Sequence, residues 1–564
     1  MQLVIKKILE SAKAKLKNKR EMILLGGFSL LFAAAFTIGH KIVYSGSIFG
    51  NYVQNYIMGF EWNDIFIWLI CFFISFVLMF ILNLSMKFLG RIIIRPLEAD
   101  ISRRTERKYW IIGTFVLFIC WLPYLVSNLP GAIYADAYSS IYQALGLAGF
   151  HNHHPILYSM IVKVLLEIGM LFGDINTGLT FYTIAQMFIM AGALGYSLSW
   201  MYKHRVSRVY IFLAGIAFAL YPLFPFYAIA MWKDTFFSLA LLLYSLSVLD
   251  VILSKGECVK RFWGAFHYAA LSGLVICLRN NGIYIAIICT AILAVMFRKQ
   301  LLNRLKLFLI GNVVLITISL IILFPVMNYL KINSPYAESV GIPLQQVSRV
   351  VALDGNMSHE QETFIAQVIP LERIKEVYTP CIVDRVKWDP SFNNVFLGEH
   401  KSEFLTTWFK MFWSNKQIYI DAFLLETAGF WDPSFGDVDR PAYIQVGVWP
   451  APYKEQLGIQ EIDLFSEWFG FSFMDIVRPK NPVPEAVFVW ILLASFTLAL
   501  CRNRKNSMVC LPSILLWMTI LIATPLAMSL RYIYVFVLML PFLLVFPLLS
   551  KRQDSNLLES EKAD

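Results

Sequence analysis

Charged residues are scarce in this 564-residue chain. They make up 15% of the sequence, whereas hydrophobic residues make up 58%. A soluble globular protein carries about a quarter charged residues. The composition therefore argues against an ordinary soluble enzyme and predicts a protein whose surface mostly faces lipid.

Several catalytic signatures are also missing. The chain has no G-x-x-x-x-G-K-[ST] phosphate loop, no G-x-G-x-x-G fingerprint and no G-x-S-x-G nucleophile elbow. ATP hydrolysis within this chain is therefore not expected. Of the eight cysteines, only Cys381 lies in the large segment 330–484, which excludes an intrachain disulfide framework there.

Long apolar windows dominate what is present. Windows of about 20 residues predict transmembrane helices near 22–43, 63–86, 109–129, 178–201, 209–229, 235–253, 263–278, 282–297, 305–329, 485–501, 508–528 and 532–549. The first window is followed by no A-x-A-like cleavage site, so it is interpreted as a retained helix. The predicted fold class is an all-α polytopic membrane protein of about 12 spans.

The basic residues are distributed unevenly between the loops. If the N-terminus is cytoplasmic, alternate loops hold 30 of the 48 Lys and Arg residues. The short connections on the other face hold Lys41, Lys163, Lys233, Arg279 and Arg531. The positive-inside rule then predicts a cell-membrane protein with both termini in the cytoplasm. The net charge of +10 therefore reflects membrane topology. The basic loops are expected to contact anionic lipid and not nucleic acid.

Two segments on the predicted outer face interrupt this pattern. In the loop 130–177, Lys163 and Glu167 make 156–172 a poor span, so an amphipathic helix at the interface is predicted. The segment 330–484 is long enough for an extracytoplasmic domain, α-rich or α/β, with helices near 359–378 and 401–426 and a W-D-P-S turn used twice. The predicted organisation is 1–329 transmembrane, 330–484 extracytoplasmic, 485–550 transmembrane and 551–564 a cytoplasmic tail.

Three cations stand at helix ends on the predicted outer face, which otherwise holds few. Lys233 lies in M-W-K-D-T, Arg279 in L-R-N-N-G and Arg531 in S-L-R-Y. Together they would form a site for a phosphate at headgroup depth. The alternatives are contacts with lipid headgroups or pairing with acids such as Asp234. Asn280 and Asn281 are secondary candidates.

Asp136 follows a span and a Pro-Gly turn, in the setting Y-A-D-A-Y. Partial burial would raise the proton affinity of such a carboxylate, which suits a general base. The alternative is an N-cap for a helix starting at Ala137.

Histidines follow this acid in the sequence H-N-H-H-P, where Pro155 is expected at the first helical position. His153 and His154 are candidates for hydrogen bonding to a substrate. Metal binding and plain surface histidines stay open, because no H-E-x-x-H or spaced acidic partner is present. Five tryptophans of 330–484 could stack on sugar rings: Trp408, Trp413, Trp431, Trp449 and Trp468.

The chain resembles the GT-C superfamily of membrane glycosyltransferases, and most closely its poorly characterised bacterial multi-pass members. The resemblance is carried by four features in this order: the loop acid, H-H-P, R-N-N-G and a late R-Y. The resemblance covers about residues 109–300 and 485–550. It implies Asp136 as the catalytic loop acid, His153 and His154 in the motif after it, and Arg279 and Arg531 facing the lipid-linked phosphate. Some members have a paired acid where this chain has one, so a divalent metal cofactor is left open.

The expected function is transfer of a sugar from a polyprenyl-phosphate donor to a cell-wall polymer, glycolipid or protein. Inverting transfer needs a base for the acceptor hydroxyl and cations for the departing phosphate, and the candidate residues supply both. One alternative is a transporter or flippase of lipid-linked saccharide, although no internal repeat is evident. Another is a polysaccharide polymerase or ligase, whose donor would be a lipid diphosphate.

Overall fold

The chain is mostly helical, which confirms the predicted all-α class. The computed structural model describes residues 17–43, 56–96, 101–149, 155–298, 336–434, 452–477, 483–523, 526–527 and 529–549. Within these ranges, the strands β1 (Ile42–Val43) and β2 (Tyr56–Ile57) form an antiparallel pair in which Ile42 faces Ile57.

The first part of the chain contains eleven described helices. They are α1 Lys19–His40, α2 Trp62–Ile93, α3 Arg103–Val126, α4 Ala135–Ala144, α5 Ile156–Met170, α6 Ile175–Lys203, α7 Arg208–Leu220, α8 Leu223–Ile229, α9 Lys233–Leu253, α10 Phe262–Leu278 and α11 Gly282–Met296. A 3₁₀ turn, Cys258–Lys260, precedes α10.

The later part contains shorter helices and then a second apolar group. The helices are α12 Gly341–Ala352, α13 His359–Val368, α14 Leu371–Val377, α15 Asp384–Lys387, α16 Asn394–Glu399, α17 Lys401–Ser414, α18 Lys416–Thr427, α19 Pro452–Leu457, α20 Leu464–Phe469, α21 Phe473–Val477, α22 Glu485–Arg502, α23 Leu511–Ala523 and α24 Tyr534–Met539. The 3₁₀ turns are Tyr336–Ser339, Ala428–Phe430, Asn506–Cys510, Leu530–Ile533 and Leu540–Phe542.

Among the described residues, seven helices are long and apolar enough to cross a membrane. They are α1, α2, α3, α6, α9, α22 and the stretch Asn506–Ala523, and the pair α7 and α8, bent by 53°, would be an eighth. The windows at 263–278, 282–297 and 532–549 correspond to the shorter apolar helices Phe262–Leu278, Gly282–Met296 and Leu530–Phe542. The window 305–329 lies outside the described residues. A membrane protein is therefore supported, and the count of twelve spans stays a prediction.

Helix α9 runs through the core and separates two ends of the bundle. Nearly all of its side chains are buried, as expected for a helix that is apolar on every face. Its 21 residues span about 31 Å. Near one end, Asp250 accepts a hydrogen bond from Trp200 Nε1 at 2.9 Å and contacts His204 Nε2 at 2.7 Å. At the other end lie Lys233 and Asp234.

We call the end with Asp250 the basic end, because it also carries Lys203 and the loop with Lys255, Lys260 and Arg261 that follows α9. We call the other end, formed by 129–136, 229–234, 279–281, 526–527 and 529–531, the site end. The two ends are a helix length apart, so polar residues at the site end cannot contact those at the basic end.

Residues 336–434 have a hydrophobic cluster of their own, which includes Leu344, Val350, Phe404, Met411 and Tyr419. The described residues of this region form helices and turns. The predicted helix 359–378 is divided in two at Pro370, since proline lacks the N–H that a continuous helix needs. The predicted helix 401–426 is divided at Asn415.

The repeated W-D-P-S segment has the same turn chemistry at both positions, as predicted. Asp389 accepts hydrogen bonds from the backbone N–H and the hydroxyl of Ser391, at 2.9 and 2.5 Å. Asp432 accepts the equivalent pair from Ser434, at 2.8 and 2.6 Å. Asp side chains that bond to the backbone two residues further on are a standard way to fix a turn.

A helix also occupies the segment predicted to lie at the interface. Helix α5 begins directly after Pro155, which stands at the N-cap and not at the first helical position as expected. Lys163 Nζ lies 3.7 Å from Glu167 Oε1, and both side chains are exposed. The location of α5 at a membrane surface stays a prediction.

Candidate functional site

The loop before Asp136 is bonded to the segment before Lys233. Ala132 donates its N–H to Ile229 O at 3.0 Å, and Met231 donates to Ala132 O at 2.9 Å. Gln186 from α6 supports the same segment, because its Nε2 donates to Ala230 O at 2.6 Å. Two loops that are distant in sequence are thus held side by side before each enters a helix at the site end.

The turn at position 131 requires a glycine. Its φ is +135°, a conformation that side-chain-bearing residues rarely adopt. A Cβ atom there would also overlap the Thr183 side chain and meet Ile229 O at 3.1 Å. Thr183 itself donates to Pro130 O at 2.7 Å. The turn therefore depends on the absence of a side chain.

Asp136 is the second residue of α4, whose N-cap is Tyr134. The alternative interpretation of Asp136 as an N-cap is therefore wrong, because the chain becomes helical two residues before Ala137. The half-buried Asp136 carboxylate is instead paired with the guanidinium of Arg531. This pair joins positions 395 residues apart in the sequence.

The Arg531 segment is anchored to residues 336–434. Ala527 donates to Cys381 O at 2.8 Å and accepts from Gly429 N at 2.9 Å. After Arg531, the hydroxyl of Tyr534 donates to Leu223 O at 3.2 Å. Arg531 is thus held between the transmembrane helices and the region that follows α11.

Tyr532 lies between two arginines. The guanidinium carbon of Arg279 is 5.1 Å from the centre of the Tyr532 ring, and that of Arg531 is 5.0 Å from it. Arg531 Nη2 also donates to the Tyr532 hydroxyl at 3.3 Å. A cation above an aromatic face is attracted by the ring quadrupole. One ring therefore brings two like charges close to each other.

Arg279 is paired with Asp234. Its Nη1 lies 2.8 Å from Asp234 Oδ1, and the Asp234 side chain is 1% exposed. The second oxygen, Oδ2, is buried without a hydrogen-bond partner. Gly282 makes this turn compact, since a Cβ there would overlap Val275 O. Pairing with a nearby acid, the alternative to a phosphate site, is thus observed for Arg279 with Asp234 and for Arg531 with Asp136.

Lys233 completes the group. It lies next to Asp234 at the start of α9 and within electrostatic range of Asp136, Arg279 and Arg531. Three cations and two carboxylates meet there, so the cluster carries an excess of one positive charge. We call these five residues the acid–arginine cluster.

An aromatic wall adjoins the cluster. Trp232 stacks on Tyr134 with ring centres 4.2 Å apart, and Arg531 lies 5.9 Å from the Trp232 ring. The buried indole N–H of Trp232 has no hydrogen-bond partner. Sequence reasoning missed Trp232, Tyr134 and the bridging role of Tyr532, although each is adjacent in sequence, or nearly so, to a predicted residue.

The other residues predicted from the sequence do not join the acid–arginine cluster in the described part of the chain. Asn280 and Asn281 form the turn beside Arg279, and the Asn280 side chain is exposed. His153 and His154 lie outside the described residues. Among the described residues, no three or more His, Cys, Asp or Glu side chains are grouped so as to hold a metal ion. The eight cysteines all lie in the described residues, and they form no disulfide there.

Comparison with known proteins gives one match. The profile of a family of unknown function, DUF6020, matches residues 146–561. The match includes Lys233, Asp234, Arg279 and Arg531, and Asp136 lies just before it. No curated protein and no solved structure matches the chain.

Proposed function

The chain belongs to the DUF6020 family, whose function is unknown, and we propose that it is a membrane glycosyltransferase of the GT-C type. It transfers a sugar from a polyprenyl-phosphate donor to an acceptor hydroxyl on a cell-wall polymer, glycolipid or protein. The enzyme lies in a bacterial cell membrane, with the site end outside the cytoplasm. The observation that carries the proposal is the pairing of Asp136 with Arg531 beside Arg279 and Lys233.

The charge of the acid–arginine cluster suits the donor. A sugar linked to a lipid through a phosphodiester carries one negative charge, which balances the excess positive charge of the cluster. When the sugar leaves, the lipid phosphate becomes a monoester and gains further negative charge. Fixed cations stabilise charge that develops in a transition state, because they need no reorganisation. Arg279 and Arg531 are planar donors suited to phosphate oxygens.

Asp136 acts as the base in this scheme. Its pairing with Arg531 holds the carboxylate in position, but a cation so close disfavours protonation and therefore keeps Asp136 from acting as a base before the donor binds. The donor phosphate competes with Asp136 for Arg531, and binding of the donor therefore releases the carboxylate. Asp136 then takes the proton of the acceptor hydroxyl. The acceptor oxygen bonds to the anomeric carbon, and the bond from that carbon to the phosphate oxygen breaks with its electron pair on the phosphate.

The test is a transfer assay with purified protein in lipid nanodiscs. Undecaprenyl-phosphate sugars are supplied with cell-envelope acceptors, and the product is identified by mass spectrometry. Wild-type protein should form a new glycosidic bond, and Asp136→Asn should form it about 10²–10⁴-fold more slowly at equal protein levels. Full activity of Asp136→Asn would refute the assignment of the base.

Two outcomes would replace the proposal with another function. Movement of lipid-linked saccharide across proteoliposomes without a new glycosidic bond would indicate a transporter or flippase. Use of a lipid-diphosphate saccharide in place of the monophosphate sugar would indicate a polymerase or ligase.

A further inference from the structure

A cleft of about 540 Å³ lies in residues 373–390, outside the acid–arginine cluster. Its lining residues are Arg373, Glu376, Val377, Asp384, Arg385, Trp388, Asp389 and Pro390. Pockets that take small organic ligands have volumes of about 300–1,000 Å³. The size therefore fits a short stretch of a polymer.

The cleft presents an exposed aromatic ring on a fixed turn. Trp388 lines the cleft and is 55% exposed. The neighbouring Asp389 is bonded to Ser391 and accepts from Arg373 Nε at 2.8 Å. These contacts hold the W-D-P-S turn, and with it the ring, in one place. An indole of this kind has an apolar face and a polar edge, which matches the C–H face and the hydroxyl rim of a sugar.

The polar lining alternates charges of both signs. Two guanidinium groups and three carboxylates line the cleft, which leaves a small excess of negative charge. Carboxylates accept and guanidinium groups donate hydrogen bonds, and a hydroxyl does both. A surface of this kind suits neutral, hydroxyl-rich ligands, whereas it would repel a polyanionic polymer.

The cleft is connected to the acid–arginine cluster. Asp384 stands three residues after Cys381, and Cys381 O accepts the N–H of Ala527, which precedes Arg531 by four residues. Partial burial raises the pKa of the Asp384 carboxyl; Lys387 opposes this, and Glu338 and Asp136 add to it. Asp384 is thus close enough to Asp136 for the two charges to interact.

Lys387 holds the Asp384 side chain of the cleft in place. Its almost fully buried ammonium lies 2.8 Å from Asp384 and 2.9 Å from Glu338. A lysine is rarely buried unless it is paired in this way. The Asp384 carboxylate, which lines the cleft and interacts with Asp136, is therefore held in position.

We propose that this cleft is the acceptor subsite and binds a neutral glycan, with Trp388 stacking on a sugar ring and the far end of the glycan directed toward Asp136. The inference rests on the proposed glycosyltransferase function and names the class of its acceptor.

The experiment measures glycan binding directly, without transfer. Full-length protein in nanodiscs is titrated with maltohexaose, cellohexaose and chitohexaose by isothermal calorimetry. Trp388→Ala should weaken binding of the preferred glycan about tenfold, since a stacked ring contributes on the order of 1 kcal/mol. Trp388→Phe should restore most of the affinity.

Trp413→Ala is the matched control. Trp413 is 59% exposed, lies in α17 and has Lys416 at 5.2 Å, much as Trp388 has Lys387 at 5.7 Å. The sequence suggested Trp413 as a sugar-stacking residue, but it does not line the cleft, so its removal should leave the affinity unchanged.

The outcomes separate this inference from the proposed function. If none of the three glycans binds, or if Trp388→Ala and Trp413→Ala behave alike, the cleft is not a glycan site, and a positive transfer assay still stands. If binding depends on Trp388 while no donor is consumed, the cleft is supported as a glycan site and the transferase proposal fails. If both assays succeed, Trp388→Ala should raise the acceptor KM with little change in kcat.

Discussion

Removing Arg279 should destabilise the protein more than removing the charge of its partner, Asp234. Asp234 is 1% exposed and has one oxygen without a hydrogen bond, whereas Arg279 is 18% exposed. Arg279→Ala therefore leaves a buried carboxylate without its hydrogen-bonded partner. Breaking a buried pair in this way costs about 3–5 kcal/mol, and the neighbouring charge of Lys233 should keep the cost at the lower end of that range. Asp234→Asn leaves a cation that retains the Phe237 and Tyr532 rings and some water, so its cost should be smaller.

The double variant Arg279→Ala/Asp234→Asn should be more stable than Arg279→Ala alone, because no uncompensated charge is left. Unfolding in mixed detergent micelles, monitored by tryptophan fluorescence, gives the four corners of the double-mutant cycle. Lys163→Ala is the control. Its pair with Glu167 is exposed on α5, and exposed pairs contribute about 0–1 kcal/mol. If Arg279→Ala is no worse than Asp234→Asn, the buried ion pair does not control stability as argued.

Three further predictions concern separate parts of the molecule. Asp136→Asn should lower kcat about 10²–10⁴-fold without raising the donor KM, because the phosphate no longer competes with a carboxylate for Arg531. Asp174→Asn, which keeps an exposed helix cap, should leave both unchanged. A raised KM with normal kcat would indicate a binding role. Gly131→Ala should destabilise the folded protein by about 1–3 kcal/mol. Gly192→Ala is the control and should not, because a Cβ there meets no atom within 4 Å. Equal melting temperatures of the two variants would contradict the strained turn. Complete burial raises the pKa of Glu426 well above its usual range, so the folded state binds more protons than the unfolded state. Stability should therefore fall as pH rises from the unfolded pKa of about 4.3 toward the raised folded pKa. Melting curves between about pH 4 and pH 8 should show Glu426→Gln gaining on wild type as pH rises, and parallel curves would refute this.

The apolar spans and the polar candidates at the site end could be predicted from the sequence because each is a local pattern. Lys233, Arg279 and Arg531 were singled out as cations in loops that otherwise have few. Their partners could not be assigned in the same way, since the Asp136–Arg531 pair depends on how helices 395 residues apart pack. The N-cap prediction for Asp136 failed because the helix begins at Ala135, and nothing in Y-A-D-A-Y marks that boundary.

The tryptophans show the same limit. The sequence suggested Trp431 as a sugar-stacking residue, yet it is buried and donates its indole N–H to Thr427 at 3.0 Å. Trp388 was noted only as part of a turn. Its exposure beside Arg373 and Asp384 depends on how α14 packs against α15. Helices this short have too few apolar residues for the sequence pattern to predict that packing.

The most direct test of the central claim is a cryo-EM structure with undecaprenyl phosphate bound. The claim is that a single cluster binds the donor phosphate and holds the base. The phosphate should lie between Arg279 and Arg531 beside the Tyr532 ring, with Arg531 released from Asp136. A phosphate bound at the basic end, or one bound elsewhere while the Asp136–Arg531 pair stays closed, would contradict the account.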